Sequence, residues 1–410
     1  MKVKELIYLI FILAASAILS IGRFYDERLD FFEIKFSLIL SLTYFFSTFV
    51  LISSIRKTSI EKSKILLYSL YVYIIVVTPI LWVLFENIEF TFPSFSYDHM
   101  QYGFLKFINF LFIVVPISII IIEKFRYRQV TTLINIFFLL ALFLALLGIF
   151  GLFSNFSGRL SVLGGGPIVY SRWMCLAILI LIFYPKYKFK LLNLILIISF
   201  LLLAFATGSR GPLLSLFITL FVFFILNYIK LLYKVIILFV AFIGVLTFTP
   251  IGEKILKLDA IDRVTMNIKH GGSLKSTGAR MDFTKRSISL ISDYPFGVGC
   301  GNWQTAANDK KFNYVIAHAY PHNLFFELTN EYGVLAGLLF LFLILHIFYL
   351  SFIKMKKNRS NITSLYPLLF YALIFLFLNT MLSGDLMDGR ILFVFISLIL
   401  INKPLVTDEK

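Results

Sequence analysis

Charge is what this sequence has least of. Only 15% of its residues are Asp, Glu, Lys or Arg, where a soluble domain carries about a quarter. That shortage excludes an ordinary water-facing surface. Cysteine is almost missing as well. Cys175 falls inside an apolar run and Cys300 in a polar loop, so no disulfide framework is expected. Acidic residues are absent from the interiors of the long apolar runs. Ion-coupled transporters keep an Asp or Glu at membrane depth as a cation or proton site, so their absence counts against that class. A passive or lipid-flipping transporter of lipid-linked sugar stays open as the non-enzymatic alternative. No Asp-x-Asp pair of the kind that holds a metal against a nucleotide sugar occurs anywhere in the chain.

What the chain does have is hydrophobic length. Sixty per cent of its residues are apolar, 48 are Phe, and its mean hydropathy is +0.91. The apolar runs are long enough to cross about 30 Å of hydrocarbon at 1.5 Å per residue. The pattern predicts an all-α membrane protein of about twelve transmembrane helices, at 5–22, 36–55, 65–85, 103–122, 131–153, 168–184, 191–206, 211–229, 231–249, 332–352, 364–382 and 390–402. The first run has the length of a signal peptide. With eleven runs following it and no clear cleavage site before a soluble domain, it is read as the first membrane helix.

The net charge is +16, and its distribution points to topology rather than to nucleic acid. Lys2, Lys4, Arg56, Lys57, Lys124, Arg126, Arg128, Lys186, Lys188, Lys190, Lys354, Lys356 and Lys357 fall on one set of loops. The short loops of the other set hold only Arg23, Arg28, Lys35, Arg159, Arg210 and Arg390. By the positive-inside rule both termini are expected in the cytoplasm of a bacterial inner membrane. The chain then divides into nine spans over 1–250, a periplasmic loop over 251–331, and three spans with a cytoplasmic tail over 332–410. A connection as long as 251–331 is usually functional. It is expected to be mostly helical, with a helix from Ala279 to Ile291, a tight loop over Pro295–Gly301, and Pro321 in the first turn of a further helix.

Arginines gather at the outer boundary of this topology. Arg210 sits in the turn Thr207-Gly208-Ser209-Arg210-Gly211-Pro212, Arg159 in the preceding outer loop, and Arg172 one turn into the sixth span. Arg280 opens the outer-loop helix and Arg390 the last span. A guanidinium grips phosphate oxygens bidentately, so arginines at that depth suit a lipid diphosphate. Some of them have the simpler role of snorkelling to the interface. His318 and His322 lie where the outer loop re-enters the membrane, and an imidazole is a good proton acceptor at neutral pH. Pro321 between them and the lack of an evident third ligand argue against a metal. Glu327 and Glu331 are expected on the polar rim of the re-entry helix. Gly333 and Gly337, four apart, permit close helix packing.

Three stretches carry a resemblance. They are Thr207-Gly-Ser-Arg-Gly-Pro-Leu-Leu214, then Gly278-Ala-Arg-Met281 followed by Asp293-Tyr-Pro-Phe-Gly-Val-Gly-Cys-Gly-Asn302, and lastly Pro321-His-Asn323 through Glu327 to Gly333. In order, spacing and side of the membrane the set resembles the O-antigen ligase and O-antigen polymerase superfamily. The resemblance is concentrated in 205–340; the first 150 residues share only hydropathy with it. It implies a GT-C-like fold and metal-independent glycosyl transfer, with no cofactor. The donor would be an undecaprenyl-diphosphate-linked glycan, and the acceptor a sugar hydroxyl on lipid A-core or on a lipid-linked repeat unit. It implies Arg210, Arg280 and His322 as catalytic residues. Arg159, Arg172, His318, Asn323, Glu327 and Arg390 are expected to bind substrate. No nucleic-acid partner is expected, and membrane lipid is.

Overall fold

The structure is a computed structural model and describes residues 3–21, 35–55, 61–84, 97–153, 160–162, 166–184, 190–228, 272–307, 320–358, 364–402 and 405. Every regular element among them is helical. Long apolar helices are α1 (Val3–Ile21), α2 (Phe36–Ser53), α3 (Lys62–Leu84), α4 (Gly103–Lys124), α5 (Tyr127–Phe153), α6 (Gly166–Phe183) and α8 (Arg210–Tyr228). They are joined by α12 (Val334–Lys357) and α13 (Tyr366–Ser383). Nine described helices are thus long and apolar enough to cross a membrane, and the protein is a multi-pass membrane protein. Two shorter apolar helices, α7 (Lys190–Ala206) and α14 (Arg390–Ile399), fall where the seventh and twelfth spans are expected. The expected ninth span, 231–249, lies outside the described residues.

Many apolar side chains stay exposed on these helices, among them Phe46, Phe49, Phe150, Leu202 and Tyr349. In water that would be a liability, and in lipid it is the outer surface. By contrast α6 and α13 are largely buried and form the middle of the bundle. Phe183 of α6 stacks on Tyr371 of α13 with ring centroids 4.4 Å apart.

Two helices carry a proline in mid-span, and each handles it differently. In lipid no water takes up a freed backbone group, so neighbours or local π turns must. Both helices widen into one π turn just before the proline, at Tyr73–Val77 ahead of Pro79 and at Phe110–Val114 ahead of Pro116. Pro116 has no N–H to offer the Phe112 carbonyl one turn back. The Tyr44 hydroxyl of α2 donates to that carbonyl instead, at 2.8 Å. On α3 the Thr78 hydroxyl turns back to the Ile74 carbonyl at 2.7 Å.

Polar contacts sort the helix ends into two sets. At one end Lys64 at the start of α3 pairs with Glu123 at the end of α4 (3.1 Å). Lys124 donates to the Ser54 carbonyl at 2.7 Å, and Arg128 pairs with Glu5 at 2.6 Å. Lys354 donates to Ile399 and Ile401 carbonyls. At the other end Arg390 reaches the Leu19 and Ser20 carbonyls at the close of α1, and Arg172 reaches the Ser383 carbonyl at the close of α13. The turn between α7 and α8 belongs to this second end, where the Leu160 N–H donates to the Ala206 carbonyl at 3.4 Å. The helices described after α8 also pack here: α9 (Gly272–Asp293), α10 (Trp303–Ala307) and α11 (Leu324–Tyr332).

Candidate active site

The re-entry helix α11 begins later than Pro321 suggests. Asn323 is its N-cap, extended in backbone, with its side-chain oxygen accepting from the Phe326 N–H at 3.1 Å. Such a cap stabilises a helix by about 1 kcal/mol. Pro321 therefore stands two residues before the cap and not in the first turn. The Asn323 amide nitrogen also donates to the Met381 carbonyl at 3.0 Å, tying the cap to the end of α13.

The far end of α11 is closed by the Gly-rich loop. The Val298 N–H donates to the Asn330 carbonyl at 2.8 Å, and the Gly299 N–H to the Glu331 carbonyl at 3.0 Å. The Val334 N–H returns the contact to the Pro295 carbonyl at 2.9 Å. These are the carbonyls a helix end leaves orphaned. The fit is backbone against backbone. A Cβ on Gly297 (φ 89°) would lie 2.6 Å from the Glu331 oxygen and from the Gly333 nitrogen. The expected tight loop over Pro295–Gly301 is present, and it seats α11.

His322 sits between this cap and Tyr320, with φ 57°, the left-handed region that non-glycine residues rarely adopt. Its ring stacks on Phe283 of α9 with centroids 5.8 Å apart and planes 11° apart, and meets the Tyr320 ring at 3.9 Å. Its Nδ1 is buried, and no hydrogen-bond partner reaches it among the described residues. Burial, the nearby Arg280 guanidinium and, in the opposite sense, Asp388 set its basicity. The net result is an imidazole lowered to about 4 and uncharged at neutral pH. Arg280 lies one turn before Phe283 on the same face of α9, which accounts for its influence. Its own side chain is exposed. α9 is held in turn by Arg286, which is fully buried and bonded to Asp282 (2.7 Å) and to the Ala307 carbonyl. The Trp303 indole adds a bond to the Ser287 hydroxyl at 3.0 Å.

Behind His322 lie groups that sequence reasoning did not single out. Asp388, in the α13–α14 turn, pairs with Arg172 at 2.8 Å and lies 3.9 Å from Arg390. Burial pushes the Tyr320 hydroxyl upward, and the charges of Asp388 and Asp385 push it the same way. Lys106 of α4 is fully buried between Glu327 and Glu331, paired with both, the latter at 2.6 Å. The expectation of a polar rim for these two glutamates is therefore corrected: both are inside the protein. One ammonium cannot neutralise two carboxylates, and burial drives the Glu327 carboxyl well up. Cys300, bonded by the Tyr332 hydroxyl at 2.8 Å, borders the same cluster, and burial pushes its thiol up to about 12. The sequence held two partial signals that name no partner: a lone lysine inside an apolar run, which is expensive without a counter-ion, and two aspartates just before Arg390.

The other expected site residues divide. Arg172 and Arg390 are buried and committed to backbone carbonyls and to Asp388. Arg210 is exposed in the first turn of α8. The turn before it is tight: Gly208 has φ 63°, and the Thr207 hydroxyl accepts from the Ser209 N–H at 3.0 Å. Pro212 fits that first turn, where an N–H has no partner to lose. Arg159 and His318 lie outside the described residues. Among the described residues no three His, Cys, Asp or Glu side chains gather as a metal set.

Comparison with known families bears on the same stretch. Residues 194–341 match the family model Wzy_C, described as O-Antigen ligase. That stretch, about a third of the chain, is similar to an O-antigen ligase domain. The match spans α9, α10 and α11 and holds Arg210, Arg280, His322, Asn323 and Glu327. Lys106, from α4 outside the match, pairs with Glu327 and Glu331 inside it, while Arg172, Asp388 and Arg390 lie beyond the match and bond to one another and to backbone carbonyls. No curated protein matches the chain.

Proposed function

We propose that this protein is a glycosyltransferase of the O-antigen ligase type. It moves a glycan from undecaprenyl diphosphate to a sugar hydroxyl of lipid A-core, at the periplasmic face of the inner membrane. The observation that carries this reading is an uncharged imidazole, walled by Phe283 and Tyr320 and set beside the Arg280 guanidinium, within an O-antigen ligase domain.

The chemistry asks for few parts. The acceptor hydroxyl attacks the anomeric carbon, its proton passes to His322, and the bond to the lipid diphosphate breaks with the electron pair leaving on oxygen. A base in reach of the hydroxyl and cations where the leaving group gains charge are the two requirements. His322 serves as the first, and Arg280 with Arg210 as the second. Arg280 links the two roles. Its charge depresses His322, and a bound diphosphate offsets that charge, so the imidazole becomes more basic once the donor is seated. No metal or cofactor is called on. Arg159, His318 and Asn323 are assigned to the substrates. Arg172, Glu327 and Arg390 act on substrate through the groups they hold in place.

His322→Ala in correctly inserted protein is expected to lower transfer from labelled lipid-linked donor by about 10²-fold or more. Near-wild-type turnover would remove the base. Arg210→Lys keeps the charge and loses the fork, and unaltered activity there would leave Arg210 a snorkelling residue. In a deletion strain, core lacking all long chains, with lipid-linked polymer accumulating, is the ligase outcome. Core capped by a single repeat unit would make the protein a polymerase using the same donor headgroup.

A further inference from the structure

At the opposite end of the bundle from His322, a cavity of about 430 Å³ opens between α1, α4 and α5. Lys4, Glu5, Tyr8, Glu123, Lys124, Arg126 and Gln129 line it. Its carboxylates already have partners. Glu5 pairs with Arg128, and Glu123 with Lys64 and the Tyr68 hydroxyl. Lys4 and Arg126 are exposed and make no ion pair among the described residues. The Arg126 guanidinium is near enough to the Tyr8 hydroxyl for its charge to act there. The cavity's uncompensated charge is therefore positive.

A second, smaller cavity of about 100 Å³ shares Glu5, Tyr8 and Gln129 with the first and continues along the α1–α5 seam past Arg128 and Thr132 to Leu9 and Ile12. The pair thus has a charged mouth at the helix ends and a continuation that turns apolar at Leu9 and Ile12, along the membrane helices. That is the shape and polarity of a lipid. A free anion would use only the mouth.

We propose that this seam is a binding site for one acidic glycerophospholipid, with its phosphate between Lys4 and Arg126 and an acyl chain along Leu9 and Ile12. The site is independent of the glycosyl-transfer reading and of the residues assigned to it. Tyr8 and Gln129 supply neutral hydrogen-bonding groups beside the phosphate. Arg126 provides the forked contact that a phosphodiester accepts. The basic end of the bundle is where anionic headgroups are drawn electrostatically.

The test is native mass spectrometry of the purified full chain, offered phosphatidylglycerol or phosphatidylethanolamine, with thermal unfolding in inorganic phosphate as a further arm. Phosphatidylglycerol is expected to be retained at least about tenfold more tightly than phosphatidylethanolamine. The double variant Lys4→Gln/Arg126→Gln is expected to erase that preference while keeping the wild-type melting point in lipid-free detergent. Raising the salt should weaken retention by the wild type and not by the variant. Equal retention of the two lipids, or a preference unchanged in the double variant, would overturn the proposal. So would millimolar inorganic phosphate stabilising the protein as much as phosphatidylglycerol does, because the site would then hold a free anion.

Discussion

The two groups that act on His322 push it in opposite directions, so its protonation can be moved from either side. Burial disfavours the imidazolium most, Arg280 disfavours it further and Asp388 favours it, and together they leave the imidazole at about 4. A base works only when deprotonated, so transfer should hold steady from neutral pH down to about pH 5 and fall below that, as the imidazole protonates. Arg280→Gln removes the depressing charge and should raise the acid limb of kcat/KM toward the ordinary histidine value of about 6.5. Asp388→Asn should move the limb lower. Limbs that stay put in both variants would mean that a different group titrates. The backbone offers a further check. At φ 57° a side chain other than glycine is strained by roughly 1–2 kcal/mol. His322→Gly should therefore be as inactive as His322→Ala yet more stable toward unfolding. At this scale the sequence singled out His322 and Arg280 as candidates, because each stands in a stretch that resembles a known family. It did not disclose Tyr320, Asp388 or Lys106 as partners. Those meet the histidine or its helix through folding alone, and nothing local marks a lysine at 106 and two glutamates beyond 320 as neighbours.

Between elements the site depends on two locks, one of backbone and one of charge. The backbone lock is the loop from Pro295 to Gly299 seated on the end of α11. Gly297→Ala drives a methyl into the Glu331 and Gly333 backbone and adds a strained φ, so a loss of about 2 kcal/mol or more is expected. Gly211, in the Arg210 turn, has open space around its Cβ position. Gly211→Ala should be neutral or should stabilise α8 by up to about 1 kcal/mol. Thermal unfolding of the two alanine variants separates a glycine required by packing from one that is not. The charge lock is Lys106. Lys106→Met leaves the buried Glu331 carboxylate on α11 without its cation and should cost about 3–5 kcal/mol. Glu327→Gln should cost far less, since burial already drives that carboxyl toward its neutral form. Comparable losses in both would mean that Glu327 stays ionised. The helix over 279–291 and the tight loop after it were readable from periodicity and glycine content. The docking of that loop onto α11 was not, because hydrogen bonds between separate backbones leave no pattern in composition.

Across the whole molecule, charge segregates by end. Lys64, Glu123, Lys124, Arg128 and Lys354 tie helix termini together at one end, and Arg172, Asp388, Arg390 and the α11 segment do so at the other. The lysine count alone pointed to the same division, since membrane insertion reads the chain before it folds. The span count was less legible. α7 and α14 are apolar but short, so run length alone does not say how each meets the bilayer. The proposed periplasmic side of the reaction rests on the same asymmetry and can be tested without any assay of transfer. In a background with Cys175 and Cys300 replaced by Ser, Asp293→Cys places an exposed thiol beside the α9–α11 segment, and Lys357→Cys places one at the lysine-rich end. A membrane-impermeant maleimide should label position 293 in intact cells and position 357 only after the inner membrane is opened. Labelling of 357 in intact cells, with 293 protected, would invert the topology. His322 would then face the cytoplasm, where a polymer carried on the outer leaflet does not reach it.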